Sequence, residues 1–267
     1  MRKLVLALCI LLLINGRCGA EREIIVQLKD AMGDDIGAGN LFYPEHPVYI
    51  PGLFDLVLFE VSVDDESVFF DFQFKALTNP FGAPEGYFHQ RLELLLSTGS
   101  NFTHNKIHIG RHTLQTAPKI GWDVRLSIAP FGESLLYVGE ELQIFREDIV
   151  SSVLPDGRTI RLKVPKSLLP HPNLGWGYYV LVGAFDGLAP GLWRDVGKGS
   201  WQIRGEGVPV FDLLAPLFSL PKQKVQLTKG VLYPVYGRQN EAGIWFVCGF
   251  IVILTAFFLW RWVRGRT

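Results

Sequence analysis

Three carboxylates fall within six residues in the stretch Asp30-Ala31-Met32-Gly33-Asp34-Asp35. Glycines at 33, 37 and 39 permit tight turning there, so oxygens of Asp30, Asp34 and Asp35 can converge on a hard cation such as calcium. A solvated acidic turn is the bland alternative, and spacing alone leaves both readings open. A nucleotide-binding loop is excluded on physical grounds. Asp34 and Asp35 would repel a pyrophosphate, and no helix pattern follows to offer an N-terminus.

A second set is aromatic. Trp176, Tyr178, Trp193 and Trp201 lie in the Gly-rich stretches NLGWGYY, GLAPGLWRD and GKGSWQ. Flat rings exposed on such loops can stack on the apolar faces of sugar rings, with a few polar groups meeting the hydroxyls. The competing role for each is core filling, which is the reading we give Trp122 at the head of DVRLSIA. His104, His108 and His112 repeat every four residues, a spacing that aligns them on a helix or a strand. Gly110 and the flanking Asn101, Asn105 and Thr113 predict a loop or edge hairpin, a poor frame for zinc. No two of the 26 acidic residues stand out as a glycoside-cleaving pair. All three cysteines (Cys9, Cys18 and Cys248) lie in the apolar terminal segments, so thiol catalysis and cysteine metal sites are excluded between them. The expectation is binding without chemistry.

The elements that must position these residues read as strands. Phe54–Val63 leads through Asp64-Asp65, a turn, into Ser67–Lys75, where Phe70, Phe72 and Phe74 alternate with Asp71, Gln73 and Lys75. Arg91–Ser97, Asp123–Ala129, Ser134–Val138, Leu142–Phe145 and Arg158–Val164 continue the pattern, and Tyr178–Phe185 reads as a central strand buried on both faces. Short strands at about ten-residue spacing, with no 3.6-residue periodicity among them, predict an all-β, antiparallel β-sandwich. Asn101-Phe102-Thr103 is a glycosylation sequon and marks an exposed loop.

The termini set the expected address. Arg2 and Lys3 precede the apolar run Leu4–Ile14, and small residues follow at Cys18 and Ala20. This reads as a signal peptide, residues 1–20, because the run is too short to span a bilayer. Residues 242–260 are uncharged, flanked by Trp245, Trp260 and Trp262, and followed by Arg261, Arg264 and Arg266. That pattern predicts a single transmembrane helix with a cytoplasmic tail, 261–267, and hence a single-pass type I protein of the cell membrane with its sandwich, 21–221, outside. Residues 222–241 then read as a short stalk. The whole chain is neutral, yet residues 21–242 hold 20 basic against 26 acidic residues, a net of −6. Such a surface repels phosphate backbones, so no nucleic-acid partner is expected.

The string D-x-x-G-D-D-x-G-x-G-x-x-x-Y-P from Asp30 to Pro44, with Pro51-Gly52-Leu53-Phe54-Asp55-Leu56, resembles the C-terminal binding domain of glucodextranases and amylopullulanases. The resemblance continues at Gly86–Gln90, Tyr179–Asp186, Trp193-Arg194, Trp201 and Val210–Pro216, in the right order over residues 25–220. It implies a β-sandwich related to DOMON and family 9 carbohydrate-binding modules, extracellular and non-catalytic, with structural calcium in related sandwiches. A glycan, with α-glucans the first candidates, is the implied ligand, and a membrane-associated enzyme or transporter a possible neighbour. No hydrolase domain is attached, so the alternative is a structural or protein-interaction module of the cell envelope that binds no glycan.

Overall fold

In the strand Ser67–Phe74 every second side chain, Val68, Phe70, Phe72 and Phe74, is fully buried, as the alternation predicts. The computed structural model describes residues 22–237 apart from 102, 140–141 and 217–219. The expected signal peptide, transmembrane helix and tail lie outside the described residues. Among the described residues no helix is long and apolar enough to cross a membrane.

Two antiparallel sheets face each other. The first runs in the order Glu23–Lys29, Leu56–Val63, Ser67–Phe74, Thr159–Pro165, Val150–Val153. The second runs Gln143–Phe145, Leu135–Val138, Val124–Ile128, Gln90–Ser97, Gly177–Ala184, Asp212–Leu213, and Val235–Tyr236 also pairs with Gly177–Ala184. Phe59, Phe70, Phe72 and Val164 of the first sheet share one core with Leu92, Leu94, Leu126, Val180 and Val182 of the second. The all-β sandwich is thus borne out, and nearly every expected strand is present within a residue or two of its expected limits.

The outer face of the second sheet is also covered. Leu95, Tyr179, Leu181 and Leu213 point away from the main core into a second one, closed by Ile107, Ile109, Leu114, Trp122, Trp193, Leu227 and Leu232. Strand Gly177–Ala184 is therefore buried along its whole length on both faces. Trp122 is a core residue, as expected. The cover consists of the hairpin Lys106–Ile109/His112–Thr116, the helix Gln223–Lys229 and the strand Val231–Leu232, which pairs with His112–Thr116 in parallel. Here the expected stalk is corrected. Residues 222–236 fold back onto the sandwich, because Leu227, Leu232 and Val235 gain burial there that an extended stalk would deny them.

Gly183 shows how closely the layers approach. A Cβ at this position would lie 2.1 Å from the Trp193 ring, so the indole occupies the space a side chain would need. Gly183→Ala is expected to destabilise the fold by about 1–3 kcal/mol through overpacking, read as a lower urea midpoint. An unchanged midpoint would show that the indole can move aside at little cost.

Candidate cation site and aromatic face

The strands Glu23–Lys29 and Leu56–Val63 are antiparallel neighbours, so the end of one and the start of the other meet at one edge of the sandwich. Asp30 follows the first and Asp55 precedes the second. Asp212 reaches the same place from its pairing with Val182. Carboxylate oxygens of Asp34, Asp55 and Asp212 lie within 4.8 Å of one another. Two oxygens bound to one calcium at about 2.4 Å can be no farther apart than that.

The surrounding bonds leave acceptors unused. Asp30 Oδ1 accepts the amides of Ala31 and Ala215 at 2.9 and 3.0 Å, while its Oδ2, in a side chain more than nine-tenths buried, finds no partner. Asp34 Oδ1 is likewise unpartnered. Both oxygens of Asp55 accept the Gly33 amide at 3.0 Å, a geometry that depends on φ of 80° at Gly33. Asp212 Oδ2 accepts the Leu56 amide and Oδ1 the Leu213 amide, both at 2.8 Å. Gln223 of the helix closes the loop from outside, donating to the carbonyls of Asp34 at 2.5 Å and Gly37 at 3.2 Å. Burial and mutual repulsion raise all four acids. Asp30 is pushed up to about 8 by burial with Asp34 and Asp55 nearby, and Asp34 to about 6 by burial and by Asp55. Asp55 and Asp212 also move upward, foremost through burial. A divalent cation would use the orphaned oxygens and cancel that repulsion.

The set differs from the expected one. Asp34 belongs to it and Asp30 lies beside it, repelled by Asp34 and Asp55, whereas an oxygen of Asp35 is taken by the Tyr43 hydroxyl. Asp55 and Asp212 were missed. Their signal was present as two identical triplets, Phe54-Asp55-Leu56 and Phe211-Asp212-Leu213, in which a lone acid interrupts apolar sequence. The two phenyl rings stack in parallel at 4.4 Å, and each aspartate sits beside its ring in sequence.

Three of the four expected aromatic contacts are in the core. Tyr178 faces the inter-sheet core against Phe59, Trp176 packs beside it, and Trp193 lies in the second core beneath Arg91. Side chains 0–1% exposed cannot stack on a sugar. Trp201 is different: it is half-buried, on a loop, with His46 stacked on it at 3.8 Å. Phe81 lies 6.1 Å from Trp201, Phe88 4.5 Å from Phe81, and Phe131 6.1 Å from Phe88. Phe81 and Phe131 are exposed. These loops gather because Gln90–Ser97 begins, and Val124–Ile128 and Gly177–Ala184 end, at the same edge.

Polar groups underlie the face. Arg194 donates to the carbonyls of Trp201 and Phe185 at 2.8 and 3.0 Å and pairs with Asp186 at 3.3 Å, and its Nε finds no partner. His89, buried against Tyr49 and Phe88, has both ring nitrogens unpartnered, and burial and Arg194 push it down to about 4, so it stays neutral. A run of ring contacts joins the two sites: Phe211 to Phe54, Phe54 to Tyr49 at 6.4 Å, Tyr49 to Trp201 at 6.1 Å. The three histidines do not converge. His104 packs on Trp122, His108 meets Thr113 and His112 faces Asp195.

Comparison with protein-family models matches residues 25–230 to the C-terminal binding module, SLH-like, of glucodextranase. No curated protein matches the chain.

Proposed function

Since the chain belongs to the family of C-terminal, SLH-like binding modules of glucodextranase, we propose that it is a carbohydrate-binding module, non-catalytic, calcium-stabilised and held outside the cell by residues 242–260. The family model is that of a binding module and not of a catalytic domain. One observation carries the reading: Trp201, Phe81 and Phe131 present rings on neighbouring loops, with the part-exposed carboxylate of Asp186 held by Arg194, whose guanidinium lies over the Trp201 ring. Aromatic surface for the pyranose face and polar groups for hydroxyls are what sugar recognition requires.

The cation has a mechanical part in this reading. Asp34 and Asp55 lie at the root of the ring series that ends at Trp201, so holding the carboxylates together fixes the base on which the face is built. Affinity for one glycan chain is expected to be weak, and anchoring beside an enzyme or transporter would raise it through effective concentration. α-Glucans are the first ligands to try.

Electrophoresis of the purified chain through gels containing α-glucans, β-glucans or other polysaccharides tests the reading. Retardation by one polysaccharide is expected, weakened roughly tenfold (about 1.4 kcal/mol) by Trp201→Ala. Phe81→Ala, at a more exposed ring, should act in the same direction without disturbing the fold. Equal mobility in every gel would refute sugar binding and favour the protein-interaction alternative.

A further inference from the structure

The helix Gln223–Lys229 and the chain on either side of it have a chemistry unlike the rest of the module. Residues 213–240 carry Lys222, Lys224, Lys229 and Arg238 and no acidic residue, inside a region, 21–242, whose net charge is −6. The helix buries Gln223, Gln226 and Leu227, and Lys222, Lys224, Val225 and Lys229 are exposed. Beside it lies a groove of about 430 Å³ whose lining includes Leu220, Val225, Lys229 and Tyr233. Leu220 is 84% exposed, and Val225 and Tyr233 about 40% each. Apolar side chains, a tyrosine and lysines with long apolar stems are the composition that suits the headgroup layer of a membrane.

Chain length restricts where this face can be. Eight residues separate Tyr233 from Ala242, where the uncharged run begins, and the nine Cα steps span at most roughly 30 Å. We propose that this face docks on the bilayer itself, with Lys224 and Lys229 toward lipid phosphates and Leu220, Val225 and Tyr233 in the headgroup layer. The inference rests on the anchored reading above and adds that the module is seated on an anionic surface and not merely tethered to it. Gln223, on the same helix, donates to the Asp34 carbonyl, so docking would also brace the acidic loop.

The experiment uses the full chain, with Cys9→Ala, Cys18→Ala, Cys248→Ala and Val225→Cys carrying a bimane label, reconstituted in phosphatidylcholine vesicles with or without phosphatidylglycerol. The expected result is a blue-shifted label quenched by headgroup spin-labelled lipid when phosphatidylglycerol is present, the docked fraction falling roughly fivefold for each lysine changed in Lys224→Glu and Lys229→Glu. A label at Ile144→Cys, an exposed position on the edge strand Gln143–Phe145, is the control. A chain that floats with the vesicles while both labels stay equally aqueous would overturn docking and leave the anchor standing. A chain that does not float would overturn the anchor and the docking together.

Discussion

Removing calcium is expected to lower the melting temperature of the chain by roughly 5–10 °C. A ligand bound only by the native state at a hundredfold excess over its Kd contributes about 2.7 kcal/mol, and each kcal/mol moves a domain of this size about 2–4 °C. The structural cause is the convergence of Asp34, Asp55 and Asp212, with Asp30 close enough to repel Asp34 and Asp55 and one oxygen each of Asp30 and Asp34 unpartnered. Asp34→Asn separates this from ordinary packing. It removes one charge from the most accessible member of the cluster, so the chelated variant should melt at or above the chelated wild type, while its response to calcium disappears. If the two proteins melt alike with and without calcium, the loop is a protonated carboxyl cluster and not a cation site.

The pH dependence of the chelated protein has a definite sign. The folded-state values of Asp30 and Asp34 are raised to about 8 and about 6, above the ordinary carboxylate range. Between about pH 4 and pH 8 the folded chain therefore holds protons that the unfolded chain has released, and stability falls as pH rises through that window. Calcium competes with those protons, so its stabilisation is expected to be small at pH 5 and full near pH 8. Thermal melts at the two pH values, each with chelator and with calcium, measure both effects.

The strands were legible because one buried face imposes a period of two, and Ser67–Phe74 and Thr159–Pro165 obey it. The candidate cation site was half legible. Asp30 and Asp34 share a loop, but Asp55 and Asp212 are 157 residues apart in sequence and meet only through strand order. Their repeated Phe-Asp-Leu triplets carried the information, since a lone acid among buried apolar residues needs a compensating partner. The aromatic set was misjudged by reading glycine as a sign of exposure. At Gly183 the missing side chain is what lets Trp193 lie against the sheet. Tyr178 belongs to a strand expected to be buried on both faces, so its burial followed from the same reading that placed it in a ligand site. The helix Gln223–Lys229 was overlooked because seven residues give too few turns for a periodic signal.

Glu93→Gln is expected to destabilise the protein by about 3–5 kcal/mol, although it preserves side-chain shape. Glu93 is fully buried on the outer face of the second sheet, paired with Arg91 at 2.9 Å and with Arg125, and it accepts the Ser127 hydroxyl at 2.7 Å. Burial opposes its ionisation, but Arg125 and Arg91 hold it below its ordinary value. Its contribution is therefore present above about pH 4.5 and lost as pH falls through the lower folded value, opposite in sign to the chelated aspartate cluster. Neutralising it strands two guanidinium groups, one of them buried, away from water. Arg91 also lies over Trp193 and donates to the Gly191 carbonyl at 3.0 Å, so the network holds the loop that delivers Arg194 beneath Trp201. Replacing the set together, as Arg91→Met, Glu93→Leu and Arg125→Leu, should recover most of the lost stability, because no charge is then left unpaired. Sugar binding should recover less, since the hydrogen bond to Gly191 is gone. Urea denaturation of the single and triple variants decides the first point. A single variant within 1 kcal/mol of wild type would mean that water reaches the two arginines and the network holds nothing in place.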